Sequence, residues 1–337
     1  MEIGVAGAGL LGRLLAFRLA HAGCGVHVFD PASDAHAPGA AGWTAAGMLS
    51  PVAELECADG AVFALGLRSL ELWPRWLAQL PAAVEFARDG SLLLAHRGDE
   101  GAARRVVDLL ARKAPAAHAP QALRPEQLRA LEPAVHGPAH AWLLPGEGRL
   151  DTVQAMQALA AVPGVHWHWN CSVAETAGGR LRCNGGERRF DWVFDVRGLG
   201  ARPPLPLRGV RGEIFRLHAP GLRLQRPLRL LHPRHRVYIV PRAADTVVVG
   251  ASEIESEDRA APSLRSTVEL LAAAHSVLPE LAEARVVHSE ANLRPALPDN
   301  LPHCERSPGL TRINGLFRHG WLLAPALVER ALQEIAA

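Results

Sequence analysis

The feature that most constrains the fold is a glycine-rich turn between two short apolar runs at the N-terminus. Residues 3–6 and 26–29 are apolar runs typical of buried strands. Between them, residues 10–22 carry leucines and alanines at helical spacing, and glycines at 23 and 25 end this pattern. The first thirty residues therefore predict a compact strand–helix–strand unit.

Three glycines in the turn form the pattern G-x-G-x-x-G. Gly7 permits the tight turn, Gly9 lets a pyrophosphate approach the backbone, and Gly12 lets the helix pack closely on the strand. The helix N-terminus offers unpaired N–H groups to the phosphates. Asp30 has roughly the spacing of a carboxylate that accepts ribose hydroxyls. The unit predicts dinucleotide binding, against the alternative of a turn without a ligand. It disfavours NADP, whose 2′-phosphate would meet the acid, and leaves NAD and FAD open.

Length and composition narrow the class of protein. The 337 residues suit one large or two ordinary domains, and 49% of them are hydrophobic, enough for a sizeable core. No apolar run approaches the roughly 18 residues of a membrane span. Lysines and arginines total 36 against 34 acids, and the arginines are dispersed along the chain. The sequence therefore predicts neither a membrane span nor a nucleic-acid partner.

The N-terminus and the cysteines bear on the compartment. The chain enters its first predicted strand at once, without a basic leader, an apolar stretch and a cleavage site. The five cysteines are odd in number and lack C-x-x-C spacing, which favours neither disulfides nor a zinc site. We expect a cytoplasmic, reduced protein without a metal or a nucleophilic triad.

A segment of small residues, 38–54, follows the first unit and would let a loop lie flat against a planar ligand. Within it, "TAAGMLSP" resembles the flavin-contacting loop of the FAD-dependent D-amino acid oxidase superfamily, with the glycine oxidases of thiamine biosynthesis nearest. Further motifs follow in the family's order: "RGVRGEIFRL", "VYIVPR" with "VVVGASE", "NLRPALPDNLP" and "NGLFRHGWLLAPAL". Residues 55–145 match only loosely. The resemblance implies FAD as the cofactor.

The resemblance also implies the architecture, an α/β protein with two discontinuous domains. An FAD-binding, Rossmann-like domain would combine residues 1–75, 147–207 and 291–337, and an α+β substrate domain with a large antiparallel sheet would combine residues 76–146 and 208–290. "ARPPLPLR" at 201–208 is the best linker candidate. We also predict an amphipathic helix over residues 262–281, capped by Ser263.

The implied cofactor contacts come from four stretches of the chain. They are Gly7, Ala8, Gly9, Leu10, Leu11, Gly12, Asp30 and Pro31; Ala41, Gly42, Ala46, Gly47 and Met48; Val173 and Gly198; and Leu316, Phe317, Arg318, His319, Gly320, Trp321 and Leu322. A helix starting near Gly320 would direct its N-terminal amides at negative charge on the reduced flavin. Arg197 departs from the small or polar residue that is usual before Gly198 in the superfamily. The sequence leaves open whether its guanidinium points to solvent or to phosphate.

Four residues are expected near the substrate. The resemblance assigns Arg294 a bidentate pair with the substrate carboxylate, for which its planar fork is suited. Tyr238, the sole tyrosine, would donate to one carboxylate oxygen. Arg318 would lie near substrate and flavin, and Met48 would line the pocket. The alternatives are a surface ion pair for Arg294, a tyrosine packed in the sheet, a structural salt bridge for Arg318 and a core methionine.

Three residues depart from the pattern of the glycine oxidases. Arg236 replaces a smaller or less charged group, Glu253 an apolar residue and Trp321 an aliphatic one. Glu253 is either an acceptor for a substrate amine or an exposed acid. These changes keep the reaction class and leave the identity of the substrate open.

The implied reaction is oxidation of a small amino acid or secondary amine of the glycine, sarcosine or D-amino acid type. Hydride transfer to FAD would give an imine and then a 2-oxo acid, and dioxygen as acceptor would give H2O2. The alternatives are a dehydrogenase with another electron acceptor, an oxidase acting on modified tRNA, a non-catalytic FAD-binding protein and a NAD-dependent dehydrogenase. A homo-oligomer is compatible with the sequence.

Overall fold

The computed structural model describes residues 1–183, 186–231 and 236–336. Residues 184–185, 232–235 and 337, which the predicted domains include, lie outside the described residues. The helices are α1 Leu10–His21, α2 Ala41–Thr44, α3 Pro51–Glu54, α4 Gly60–Leu77, α5 Glu100–Lys113, α6 Pro125–Leu131, α7 Thr152–Ala160, α8 Leu264–His275 and α9 Gly320–Ala336. Within the described ranges, none of these helices has the length and apolar character needed to cross a membrane.

The strands are interspersed with these helices, singly or in runs. They are β1 Glu2–Ala6, β2 Gly25–Phe29, β3 Met48–Leu49, β4 Phe86–Ala87, β5 Ser91–Ala95, β6 Gln121–Leu123, β7 His140–Leu144, β8 Gly148–Leu150, β9 Val165–His168, β10 Val173–Ala177, β11 Arg180–Cys183, β12 Gly186–Arg189, β13 Trp192–Asp195, β14 Arg208–His218, β15 Leu228–Leu231, β16 Arg236–Arg242, β17 Thr246–Gly250, β18 Arg285–Ala296, β19 His303–Ser307 and β20 Leu310–Asn314.

The N-terminal unit opens a six-stranded sheet with the order β19-β20-β13-β1-β2-β9. Its pairs are parallel except β19 with β20. The predicted strand–helix–strand unit is confirmed to within one residue at each end. Gly7 has φ +105°, which favours glycine, and a Cβ on Gly12 would lie 1.8 Å from the Gly7 oxygen. These two glycines are therefore required by the turn itself, and the predicted Rossmann-like α/β class is confirmed.

A second sheet has eight strands in the order β18-β14-β17-β16-β15-β5-β7-β6. All its pairs are antiparallel except β15 with β5, which is parallel, so the predicted large antiparallel sheet contains one exception. One face carries Phe215, Ile239 and Val249 and is buried in a core with residues of α8. The hydroxyl of Ser263 accepts the Ser266 N–H at 3.2 Å, which confirms the predicted cap. The predicted helix end at 281 is wrong: α8 ends at His275, and a separate 3-10 turn begins at Pro279. The other face of this sheet borders the cavity described below.

Two of the predicted domain boundaries fall inside continuous elements. β18 pairs with β14 along its whole length, so the boundary at 290/291 lies within one strand. The boundary at 75/76 lies within α4, whose Trp73 and Trp76 share a core with residues of α1 and α9. The boundary at 207/208 coincides with the start of β14. The division into two domains remains a proposal.

Candidate active site

One large cavity joins the glycine-rich turn of the first sheet to the open face of the second. Its volume is about 1360 Å³, above the roughly 300–1,000 Å³ of an ordinary small-molecule pocket. At one end it is lined by Gly7, Ala8 and Gly9, and at the other by Tyr238 and Arg294. The cavity therefore has room for an extended cofactor and a small substrate beside it.

The nucleotide end is organised by Asp30. Its Oδ2 accepts the Ala8 N–H at 2.6 Å, and its Oδ1 accepts the Ala32 N–H at 2.9 Å. A carboxylate has about four lone-pair sites, so Asp30 retains capacity for ribose hydroxyls. A Cβ on Gly9 would meet only Ala40, at 3.8 Å, so the space beside Gly9 is open. The bare backbone there fits a pyrophosphate.

The predicted cofactor-binding residues converge on this cavity. All of them line it except Gly12, which instead packs against Gly7. A Cβ on Gly47 would lie 2.2 Å from the Leu150 oxygen, so backbone packing alone requires glycine at that position. The small-residue loop is thus partly explained by the fold. The individual contacts with FAD remain proposals.

The pairing register brings the predicted substrate residues to one face of the second sheet. Tyr238 on β16 pairs with Gly250, and Gly250 pairs with Ile214 on β14. Further along β14, the side chain of Arg294 lies over Gly212, where a Cβ would come within 2.3 Å of its Nη2. A Cβ on Gly250 would similarly lie 2.7 Å from the Tyr238 hydroxyl. The side chains of Tyr238 and Arg294, both predicted to bind the substrate, therefore lie over glycines on the cavity side.

Arg294 has only main-chain carbonyls as hydrogen-bond partners among the residues that the structure describes. Its Nη1 donates to the carbonyls of Arg211 at 3.3 Å and Ser252 at 3.1 Å. Within the described part of the chain, no carboxylate forms an ion pair with it, so the surface ion pair weighed from the sequence is not found. Burial lowers the pKa of Arg294, while Tyr238 and Glu253 oppose that shift. An uncompensated guanidinium in the cavity wall suits an anionic ligand.

Tyr238 is half-buried, and its hydroxyl has no hydrogen-bond partner among the residues that the structure describes. Burial raises the pKa of the phenol, although the charge of Arg294 opposes this shift. The hydroxyl is therefore a protonated, unengaged donor beside Arg294, and its ring packs against the apolar cluster that includes Ile214 and Val240.

We expect Tyr238→Phe to weaken substrate binding, because the phenol would donate to a charged carboxylate. A hydrogen bond to a charged group contributes about 1.5–3 kcal/mol, which corresponds to roughly a 10- to 150-fold higher Kd. FAD content and melting temperature should stay close to those of the wild type, because the ring and its packing are kept. Anaerobic titration of the flavin spectrum measures the change, and an unaltered Kd would remove Tyr238 from the site.

A buried carboxylate that no sequence motif indicates, Glu54, connects cationic side chains at the cavity. Glu54, on α3, is 7% exposed and pairs with Arg229 at 3.0 Å and Arg318 at 2.9 Å. His319 Nδ1 lies 3.3 Å from the same carboxylate. Burial by itself would raise the pKa of Glu54, but mainly the charges of Arg229 and Arg318 lower it to about 2. Glu54 therefore stays ionised and holds the cations in place.

Arg318 and Met48 combine both roles weighed for them. Arg318 lines the cavity and also forms the structural ion pair with Glu54, with a longer contact of 3.4 Å to Glu253. Met48 lines the cavity and packs against the apolar cluster of the second sheet. Burial lowers the pKa of His319, with Glu54 opposing, which favours a neutral imidazole beside Arg318.

The three residues that differ from the glycine oxidase pattern are placed as follows. Arg236 is 46% exposed and donates to Glu56 at 3.1 Å and to Cys57 Sγ at 2.9 Å. Glu253 is half exposed at the cavity wall. The indole N–H of Trp321 donates to the Gly42 carbonyl at 3.1 Å, so this residue anchors the small-residue loop.

Of the two directions left open by the sequence for Arg197, solvent is excluded. Its Nη2 pairs with the buried Asp195 at 2.7 Å, and its Nη1 donates to the Val173 carbonyl at 2.6 Å. The guanidinium is 10% exposed, so it is not directed to solvent. The side chain ties β13 to β10 beside the cavity.

Gly212 provides a way to move Arg294 alone. In Gly212→Ala the new Cβ would come within 2.3 Å of Nη2, and the flexible end of Arg294 would have to shift. We expect a substrate Kd higher by about tenfold or more, with FAD content unchanged. Anaerobic flavin titration and the bound-flavin absorbance ratio test this. Equal binding in both proteins would show that the position of the guanidinium is unimportant.

Comparison with known proteins identifies the class. Residues 2–331 match the family of FAD-dependent oxidoreductases designated DAO, and the chain belongs to that family. It is therefore an FAD-dependent enzyme, as the sequence predicted, and the NAD-dependent alternative is wrong.

One sequence relative and two solved structures show which members of the family the chain is similar to. The chain is 39% identical to a thiamine biosynthesis oxidoreductase, ThiO, of Rhizobium etli, over 99% of this chain and 96% of that protein. The glycine oxidase structure from Geobacillus kaustophilus superposes with a TM-score of 0.84 at 25% identity, covering 99% and 94% of the two chains. The iminodiacetate oxidase structure from Chelativorans sp. BNC1 superposes with a TM-score of 0.81 at 25% identity, covering 97% of this chain and 93% of that one. The predicted likeness to glycine oxidases is confirmed.

Proposed function

We propose that the chain oxidises a small amino acid or secondary amine with a free carboxylate, of the glycine, sarcosine or D-amino acid type. The observation that carries this proposal is the guanidinium of Arg294, which lies in the cavity wall without a carboxylate partner among the described residues. The names of the similar glycine and iminodiacetate oxidases support the same substrate chemistry. The name of the Rhizobium relative supports a place in thiamine biosynthesis.

Arg294 and Tyr238 would fix the orientation of the substrate. The planar fork of Arg294 binds both carboxylate oxygens, and the hydroxyl of Tyr238 donates to one of them. Two anchors on one rigid sheet face present a single face of the substrate, which removes much of the orientational entropy of the reaction. Bound FAD supplies the hydride acceptor.

The charges around the site favour the reactive form of the amine. Among the described residues, Arg294 has no ion-pair partner. Arg229 and Arg318 pair with Glu54, and Arg318 also contacts the half-exposed Glu253 at 3.4 Å, so three guanidiniums face two carboxylates. Excess positive charge near an ammonium lowers its pKa and so favours the neutral amine from which a hydride can leave. His319, held neutral by burial, adds no further charge. The chain therefore needs no nucleophile for this step.

The electron acceptor is proposed to be dioxygen, with H2O2 as the product. Turnover of glycine, sarcosine, D-alanine and iminodiacetate is measured in air, with assays for peroxide and 2-oxo acid. The same panel is then measured under nitrogen with an artificial electron acceptor. Peroxide equal to the substrate consumed supports an oxidase. Turnover only with the artificial acceptor would replace it with a dehydrogenase, and no turnover in either would overturn the proposed function.

A further inference from the structure

Arg13 is a buried arginine that is not among the predicted cofactor-binding or substrate-binding residues. It follows Gly12 in α1 and is 2% exposed. Its three nitrogens donate to three main-chain carbonyls: Nε to Ala8 at 2.7 Å, Nη1 to Met156 at 2.7 Å and Nη2 to Ala35 at 2.9 Å. In the described ranges no carboxylate forms an ion pair with it. Arg13 is therefore a buried, hydrogen-bonded charge without an ion-pair partner in those ranges.

Indole rings enclose the guanidinium. Its carbon lies 5.2 Å from the ring centroid of Trp43 and 5.9 Å from those of Trp167 and Trp169. Burial lowers the pKa of Arg13 to about 10, with the charge of Asp30 opposing. The group is still charged at neutral pH. Indole faces offset only part of the free energy of burying a charge, so an anion nearby would be strongly favoured.

Arg13 also fixes the glycine-rich turn. The N–H of Ala8 donates to Asp30, and the C=O of Ala8 accepts from Arg13, so both neighbouring peptide groups are held. The Ala8 carbonyl shares a trans peptide with the Gly9 N–H, which therefore points away from Arg13. No described residue accepts a hydrogen bond from the Gly9 N–H, and Gly9 lines the cavity. This donor is free for a ligand.

We propose that Arg13 is a positioning residue for the pyrophosphate of FAD. Its hydrogen bond to the Ala8 carbonyl aligns and polarises the Ala8–Gly9 peptide so that the Gly9 N–H is directed at the phosphates. Its positive charge, which lies on the opposite side of the turn, attracts the dianionic pyrophosphate. The role differs from that of an arginine that touches phosphate, because all three of its nitrogens are already engaged with carbonyls. The inference concerns cofactor binding and does not depend on which substrate is oxidised.

The test uses the full chain, stripped of FAD and titrated with FAD or with ADP, which carries the same pyrophosphate. Arg13→Met removes the charge, and Arg13→Lys keeps it without the planar fork. Arg18→Met is the control, since Arg18 lies on the same helix against Trp76, with Gln79 as its hydrogen-bond partner, and does not line the cavity. The readouts are the Kd for each ligand and the melting temperature with and without FAD.

We expect Arg13→Met to raise both Kd values by about tenfold or more and to reduce the rise in melting temperature that FAD produces. Arg13→Lys should give an intermediate loss, and Arg18→Met should stay within about twofold of the wild type. A purely structural role would lower the melting temperature with and without FAD equally and leave both Kd values unchanged, which would overturn the proposal. If Arg13→Met does not fold, Arg13→Lys decides: wild-type Kd values for FAD and ADP would overturn it.

Discussion

Replacing Arg294 with alanine is expected to weaken the free energy of substrate binding by on the order of 2–5 kcal/mol. This corresponds to a substrate Kd that is higher by roughly 30- to several thousand-fold. The loss is large because the two nearby arginines that the structure describes, Arg229 and Arg318, are already engaged with Glu54. Arg294→Lys keeps the charge without the bidentate geometry and should recover only part of the affinity. Anaerobic titration of the flavin spectrum with substrate gives the Kd.

The matched control for Arg294 lies on the same strand. Arg285 begins β18, is 73% exposed and does not line the cavity, so Arg285→Ala should leave the Kd unchanged. Both variants should retain FAD. If Arg294→Ala and Arg285→Ala bound substrate equally well, Arg294 would not be the carboxylate anchor.

Replacing Glu54 with glutamine is expected to lower the free energy of unfolding by on the order of 3–5 kcal/mol, because it leaves the half-buried Arg229 and Arg318 around a buried neutral group. The control is Glu71→Gln on α4, which removes a half-exposed partner of Arg68 and should cost at most about 1 kcal/mol. Denaturant unfolding of the FAD-bound proteins at neutral pH measures both losses. Equal losses would contradict a buried, strongly coupled Glu54.

The Glu54 prediction also has a pH signature. Its pKa falls from 4.5 to about 2 on folding, so its contribution to stability is fully present above pH 4.5 and is lost as the pH falls toward 2. The difference between wild type and Glu54→Gln should therefore shrink across that window. Glu132, whose pKa burial raises and whose ion-pair partner is Arg226, is present in both proteins and cancels in the comparison. A difference independent of pH would mean that Glu54 is not the ionised partner.

The N-terminal unit could be predicted from local sequence because each signal acts over a few residues. Helical spacing, strand-like runs and the glycines of the turn determine it, and the observed ends differ by one residue. The site at the second sheet is different in kind. Tyr238 and Arg294 lie on strands separated by β17 and β14, so only a resemblance with the family could associate them.

Two buried charges could not be predicted from the sequence. Glu54 is an acid at the end of a four-residue helix, and Arg13 lies in a helix where an arginine ordinarily points to solvent. Their burial depends on partners distant in sequence, such as Arg318 for Glu54 and Met156 for Arg13. For the same reason the boundary at 290/291 could not be placed, since β18 is continuous across it.

The central claim is that the cavity oxidises an amine held by its carboxylate. Its most direct test is anaerobic reduction of the bound flavin by glycine, sarcosine and D-alanine, each compared with its methyl ester, which lacks the negative charge. We predict that at least one amino acid bleaches the flavin absorbance, while its ester needs a concentration higher by about 30-fold or more. Equal reduction by acid and ester, or none by any amino acid, would contradict the claim.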